Sequence, residues 1–291
     1  MTRGQFSELT ARGAVVLDGA TGSNLRAAGL PVGVSPELWV LEHPNALIKL
    51  QTAYVQAGSQ IIASPTFSAN RLSLKHFGFE EKVGELNRKL VQLSKSAAGD
   101  GALVMGDIST LGRPLEPVGD LPYSTAYDVY REQMEALSAA GADLLTMETL
   151  MGIDEAAAGL DAAASLDIPV ICSFSVEADG SIMFGGTAVE AAITAQEMGA
   201  SAVGVNCSVG PDQLEAVIRS IREAVHIPVI AKPNAGLPTM DSQGQAHYNM
   251  DAVSFVRHMQ SLIAAGASLV GGCCGTTPAY IAQLTALLGR R

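Results

Sequence analysis

Ala264-Ala265-Gly266-Ala267-Ser268-Leu269-Val270-Gly271-Gly272-Cys273-Cys274-Gly275-Thr276 contains a whole structural unit in miniature. An alanine-rich helix stops at a glycine, which suits a helix C-cap. A short apolar run then reads as a buried strand, and a glycine-flanked polar loop follows it. Outward from this stretch the same cadence recurs. Gln56-Ala57-Gly58-Ser59, Ala139-Ala140-Gly141-Ala142 and Glu197-Met198-Gly199-Ala200 end helices in the same way. The apolar runs at 14–17, 60–63, 102–105, 144–147, 169–174, 202–207, 229–231 and 268–270 read as strands. Amphipathic or alanine-rich stretches at 44–57, 81–98, 123–140, 154–165, 188–198, 211–224, 250–264 and 278–288 read as helices. Alternation of strand and helix implies a parallel sheet. Eight such units predict one (β/α)8 barrel of the TIM type spanning residues 1–291; a doubly wound open sheet is the competing layout.

Bulk properties fit that reading and narrow the function. A chain of 291 residues is long for an ordinary domain but normal for an α/β barrel. Hydrophobic residues at 48% supply a large core, yet no apolar run approaches a membrane span. The first residues lead into no long apolar segment, so no signal peptide is expected. The net charge of -11 argues against a nucleic-acid binder, which carries a basic face. Four cysteines, two of them adjacent, do not form a disulfide framework and fit a reducing cytoplasm.

Active sites on such barrels lie at the C-terminal strand ends. Here those positions hold Asp18, Thr66, Asp107, Glu148, Ser173, Cys207, Asn234, Cys273 and Cys274. Cys172, inside a strand, reads as a small buried hydrophobe. Cys207, Cys273 and Cys274 sit where packing alone gives no reason for them. Three thiolates would leave a tetrahedral zinc one open position, the layout of a catalytic site. Adjacent strand residues point to opposite faces, so Cys273 and Cys274 share a metal only if the backbone bends, which the flanking glycines permit. A redox pair ranks lower, because a disulfide between neighbours is strained. Zinc keeps bound thiols deprotonated, so a substrate thiol in the open position would become a nucleophile. Three thiolates give the zinc complex a charge of about -1, and a fourth about -2, which favours sulfur nucleophilicity over activation of water.

Other residues stay open to two readings. Glu148 is either a carboxylate at a helix N-terminus or the counter-ion of a substrate ammonium. The Asp18-Gly19-Ala20-Thr21-Gly22 run is a glycine turn that also offers N–H groups to a carboxylate; it lacks the spacing of a dinucleotide loop or a P-loop. Lys232 at the end of the seventh strand raises a Schiff-base aldolase as a rival. The five histidines form no ligand pair, although His247 lies in a loop that could reach the site.

Taken together, these residues resemble the homocysteine S-methyltransferase family, and more closely the homocysteine-binding module of cobalamin-dependent methionine synthase. The resemblance runs through 17–22, 65–70, 119–123, 147–149, Val205-Asn206-Cys207-Ser208-Val209-Gly210-Pro211, Lys232-Pro233-Asn234-Ala235-Gly236-Leu237-Pro238 and Gly271-Gly272-Cys273-Cys274-Gly275-Thr276-Thr277-Pro278. It implies zinc on Cys207, Cys273 and Cys274, with homocysteine bound as a thiolate and methylated in line to methionine. It implies substrate binding by Asp18, Gly19, Ala20 and Thr21, whose N–H groups help to hold the carboxylate, and by Glu148, which holds the amino group. It places Asn234 beside the metal. Two departures concern the turn (Thr21 and Ser23 where methionine and threonine are usual) and the third strand's loop. There Gly106-Asp107-Ile108-Ser109-Thr110-Leu111-Gly112 replaces a Gly-Ser-Ile-Gly-Pro type run. That loop faces the methyl donor, so donor identity stays open. No cobalamin- or folate-binding domain is seen, so a methyl-corrinoid donor is expected on another protein; S-methylmethionine or a betaine would need no such partner. Methyl transfer to a different thiol, and a non-catalytic zinc barrel that docks a corrinoid protein, are the alternatives.

Overall fold

The computed structural model describes residues 1–241 and 246–289. In chain order the elements are α1 (Arg3–Ala11), β1 (Val15–Val16), α2 (Gly22–Ala27), α3 (Pro36–Glu42), α4 (Pro44–Gln56), β2 (Ile61–Ala63), α5 (Arg71–Lys75), α6 (Val83–Ala98), β3 (Leu103–Ser109), α7 (Tyr123–Ala139), β4 (Leu144–Leu150), α8 (Ile153–Ala163), β5 (Val170–Phe174), α9 (Ala188–Glu197), β6 (Ala202–Asn206), α10 (Glu215–Ala224), β7 (Val229–Lys232), β8 (Pro238–Met240), β9 (Ala246–Tyr248), α11 (Ala252–Ala264), β10 (Ala267–Val270) and α12 (Pro278–Leu287). Eight strands form one parallel sheet in the order β1-β10-β7-β6-β5-β4-β3-β2. A parallel bridge between Leu17 and Ile61 brings its two edges together. The (β/α)8 barrel predicted from the eight repeats is therefore what forms, and the open sheet is excluded.

The seam between β1 and β2 is narrow and is held largely by side chains. The Gln60 N–H donates to Val16 O at 2.7 Å, and Gln60 Oε1 accepts from the Val16 N–H at 3.1 Å. Ser59 Oγ donates to Leu17 O at 3.3 Å, and Asp18 Oδ2 accepts from the Ala63 N–H at 2.8 Å.

Side chains two apart on a strand share a face. One interior layer gathers Val15, Leu17, Ile61, Ala63, Met105, Leu144, Ile171, Ala202, Ile230 and Leu269, and α1 inserts Phe6 among them. Val170, Cys172, Phe174, Val203, Val205, Val229, Ala231 and Val270 face outward into the larger core beneath the helices. Two residues further along the interior face the chemistry changes. Met105 is followed by Asp107, Ile171 by Ser173 and Ile230 by Lys232. The barrel is thus apolar where α1 plugs it and polar at the C-terminal strand ends.

Three strands outrun their predicted lengths. β3 reaches Ser109, β4 reaches Leu150 and β7 reaches Lys232, because polar residues on the interior continue the ladder beyond the apolar run. The helices α1, α2, α3 and α5 and the β8–β9 hairpin are additions to the predicted units. Most of these pieces are too short for helical periodicity to announce them. Among the described residues no helix is long and apolar enough to cross a membrane.

Candidate active site

Cys207 follows β6 directly, in a left-handed conformation with φ 46°. Such a conformation is uncommon for a residue with a side chain, and it clusters at functional sites. It turns the backbone out of the strand just where a thiol is needed. Cys273 and Cys274 follow β10, with β7 lying between the two cysteine-bearing strands. The loops are knitted together by backbone bonds. The Cys207 N–H donates to Lys232 O at 3.2 Å, the Cys273 N–H to Pro233 O at 2.8 Å, and the Ala235 N–H to Cys274 O at 2.9 Å.

The result is a single trio of thiols. The three Sγ atoms lie within 4.8 Å of one another, and Cys207 Sγ is 3.6 Å from Cys274 Sγ. A tetrahedral zinc with Zn–S bonds of about 2.3 Å would set its sulfurs roughly 3.8 Å apart, so the trio fits a zinc ion in donor type and spacing. Among the described residues no other cluster of three or more metal-ligating groups occurs. Hydrogen bonds from the Cys207 and Cys273 thiols, helped by the Tyr248 hydroxyl, lower the Cys274 pKa to about 3. Cys273 is pushed well up by its sulfur neighbours and by burial. Cys207 rises as well: the lowering effect of Cys273 is outweighed by Cys274 and burial. Cys172, by contrast, is buried among apolar side chains, where burial pushes its thiol up to about 12. It plays the packing role predicted for it.

A cavity of about 330 Å³ opens beside the thiols. Its walls include the turn at Gly19 to Ser23, Phe67, Asp107, Glu148, Thr149, Lys232 and all three clustered cysteines. Lys232 Nζ lies 3.1 Å from Glu148 Oε2 and 3.6 Å from Asp18 Oδ1, and all three groups are buried. Although burial alone would lower the Lys232 pKa, Glu148 and Asp18 raise it well above the usual lysine value. A lysine held charged in this way is no nucleophile, so the aldolase reading loses its key residue. Asp18 is raised by burial, with Lys232 opposing the shift.

Glu148 is itself positioned by a neighbour that sequence reasoning did not single out. Thr149 adopts φ 61°, and Asn206 clamps it there. Asn206 Oδ1 accepts from the Thr149 N–H at 2.8 Å and from Ser173 Oγ at 2.8 Å, while its Nδ2 donates to Thr149 Oγ1 at 2.8 Å. One buried carboxamide thus fixes the residue after Glu148 and the strand end before Cys207. The only signal in the sequence was its place beside Cys207.

The remaining candidates are placed as follows. Gly19 has no room for a side chain: a Cβ would lie 2.7 Å from both Thr276 Oγ1 and Tyr54 Oη. Ala20 donates its N–H to Thr276 Oγ1 at 3.1 Å, so this turn has already spent one of its donors on the protein. Asn234 Nδ2 donates to Ser208 O at 2.6 Å, and its Oδ1 is buried without a protein partner. Thr66 lies behind the site and bonds the β3 backbone at Asp107 O, 2.8 Å away. His247 is exposed on the hairpin, with Nε2 2.7 Å from Asp241 Oδ2. Glu37 was overlooked: from α3 it lines the cavity and accepts from the Ser68 N–H at 2.8 Å.

The sequence model of the family described as homocysteine S-methyltransferase matches residues 15–288. The chain belongs to the homocysteine S-methyltransferase family. Its sequence is 31% identical to a methionine synthase of Mycobacterium tuberculosis over 94% of this chain, but over only 24% of that protein. The chain therefore spans about a quarter of that relative's length. A homocysteine S-methyltransferase of Zea mays is 28% identical, over 92% of this chain and 88% of its own length. Among solved structures, the Escherichia coli homocysteine methyltransferase MmuM in a metallated form superposes with a TM-score of 0.82. It is 24% identical and the match covers 97% of this chain and 98% of that one, a likeness that shows the fold. Within the homocysteine S-methyltransferase family, the thiol trio and the carboxylate-lined cavity form the candidate site of this chain.

Proposed function

We propose that this chain is a zinc-dependent methyltransferase that converts homocysteine to methionine, working as a single homocysteine-binding barrel. The observation that carries the reading is the trio of thiols opening onto a carboxylate-lined cavity in a chain of this family. Cys207, Cys273 and Cys274 would hold the zinc. When bound, it supplies the Lewis acidity that keeps the acceptor sulfur a thiolate near neutral pH. Glu148 faces the substrate ammonium, and the turn at Asp18, Gly19, Ala20 and Thr21 receives the substrate carboxylate. With the Ala20 N–H bonded to Thr276, Gly19 and Thr21 supply the donors. The partnerless Oδ1 of Asn234 is the spare oxygen donor of the site. The acceptor sulfur forms its bond to the methyl carbon as the donor departs with the electron pair of the broken bond.

The donor is a methyl-corrinoid or a small methylated compound. We place the reaction in a reducing cytoplasm, where free cysteines persist.

The test is zinc content joined to turnover. Reduced, zinc-supplemented wild type should hold about one zinc per chain, and Cys207→Ser and Cys273→Ser should lose it. Homocysteine should then be methylated from either methylcobalamin or S-methylmethionine. Absence of zinc from the wild type would overturn the mechanism. Zinc without homocysteine-dependent turnover from either donor would favour a docking barrel.

A further inference from the structure

Glu148 lies at an irregularity of the sheet. The β4–β5 pairing sets Met147 opposite Cys172 and Leu150 opposite Phe174, so β4 spends one residue more than β5 over this step. Such a bulge re-aims side chains and is frequent beside active sites. The Thr149 N–H finds its acceptor outside the ladder, in Asn206 Oδ1 at 2.8 Å. Asn206 stands on β6, with β5 between it and β4. Its side chain crosses that intervening strand. Oδ1 takes Ser173 Oγ of β5 as a second donor, and Nδ2 donates to Thr149 Oγ1, each at 2.8 Å. Asn206 is wholly buried, so it acts through its neighbours.

The other end of the link is Cys207, the next residue. Its N–H donates to Lys232 O at 3.2 Å and its carbonyl accepts from Ser175 Oγ at 3.0 Å. Thr149 at φ 61° and Cys207 at φ 46° both hold a conformation that persists only where the surroundings over-determine it. Asn206 is bonded to one and joined in sequence to the other. Glu148 and Cys207 line one cavity, so this link sets the spacing between the carboxylate that meets an ammonium and a thiol of the trio.

We propose that Asn206 is a positioning residue that works as a ruler. By locking the bulge at Glu148 and Thr149 to Cys207, it fixes the distance between the ammonium and the sulfur of the acceptor. It thereby selects homocysteine over cysteine, which is one methylene shorter. This rests on the homocysteine reading above and adds the residue that makes the site sensitive to chain length. A soft link would let Glu148 or Cys207 follow the shorter thiol, and a rigid one does not. One methylene is worth about 10–200-fold in discrimination, which bounds the preference.

The experiment titrates zinc-loaded wild type, Asn206→Ala, Thr149→Gly and Asn206→Asp calorimetrically with L-homocysteine and L-cysteine. The two ligands carry the same charged groups, so a general loss of stability or a change of site charge moves both affinities alike and leaves their ratio. Wild type should prefer homocysteine by about tenfold or more. Asn206→Ala should bring the two within about threefold, chiefly by weakening homocysteine. Thr149→Gly places glycine at a φ that suits it and leaves Asn206 in place, so it carries the test even where Asn206→Ala does not fold; its ratio should fall in the same direction. Asn206→Asp keeps the shape and can accept from the Thr149 N–H, the Thr149 hydroxyl and Ser173, so it should retain the wild-type ratio. A ratio unchanged in Asn206→Ala or in Thr149→Gly, or lost equally in Asn206→Asp, would overturn the ruler and leave homocysteine as the acceptor. Equal binding of the two thiols by wild type would overturn it too. A wild type that binds neither thiol would overturn the acceptor reading and the ruler with it.

Discussion

Lys232 is the cation of the cavity wall, and its removal isolates what it neutralises. Lys232→Met leaves Asp18 and Glu148 buried and unpaired, which should cost about 3–5 kcal/mol at neutral pH. The sign of the pH dependence follows from the shifts. Asp18 is already raised above 3.8 by burial, and without Lys232 it rises further. The folded variant then binds more protons than its unfolded chain, so its stability falls as pH climbs above 3.8. The deficit against wild type should be smallest near that pH and should grow towards neutrality, as read by urea unfolding at several pH values. In the wild type the raised Lys232 contributes stability that is lost only as pH climbs above 10.5 through its folded value. Asn206 yields a separate prediction. Asn206→Ala removes the clamp on Thr149 and should cost about 2 kcal/mol, with a matching fall in kcat/KM, measured by unfolding and initial rates.

At the scale of elements, Gly275 shows how the hairpin meets the loop of Cys273 and Cys274. A Cβ there would lie 2.3 Å from Tyr248 Cγ, at φ 82°. Gly275→Ala should therefore displace the hairpin from the cysteines, costing about 1–3 kcal/mol and weakening zinc retention in a chelator competition. The hairpin itself was not legible, since its strands are exposed and lack alternating burial. The barrel strands were legible because buried parallel strands are continuous apolar runs. Their polar extensions were not, since Asp107, Glu148 and Lys232 look like loop residues until neighbouring strands pair with them. Cysteine spacing and glycine flanks pointed to the thiol trio. The Lys232–Glu148–Asp18 contact and the Asn206 clamp arise from convergence of distant strands, which no local pattern encodes.

At the scale of the whole molecule, the barrel separates stability from chemistry along its axis. Phe6 is buried in the apolar interior at one end, with the thiols at the other. Phe6→Ala should lower stability by about 3–5 kcal/mol while leaving kcat/KM for homocysteine unchanged, as checked by denaturation and by assays well below the unfolding transition. The seam between β1 and β2 crosses that division. Its topmost fastener is Asp18, the carboxylate that also meets Lys232 in the cavity. The joint at which the ring closes and the candidate site therefore share a residue. An acceptor that binds only the closed ring should act as a keystone, slowing the parting of the two edges, and limited proteolysis with and without homocysteine checks this. Lifetime under digestion becomes a gauge of occupancy.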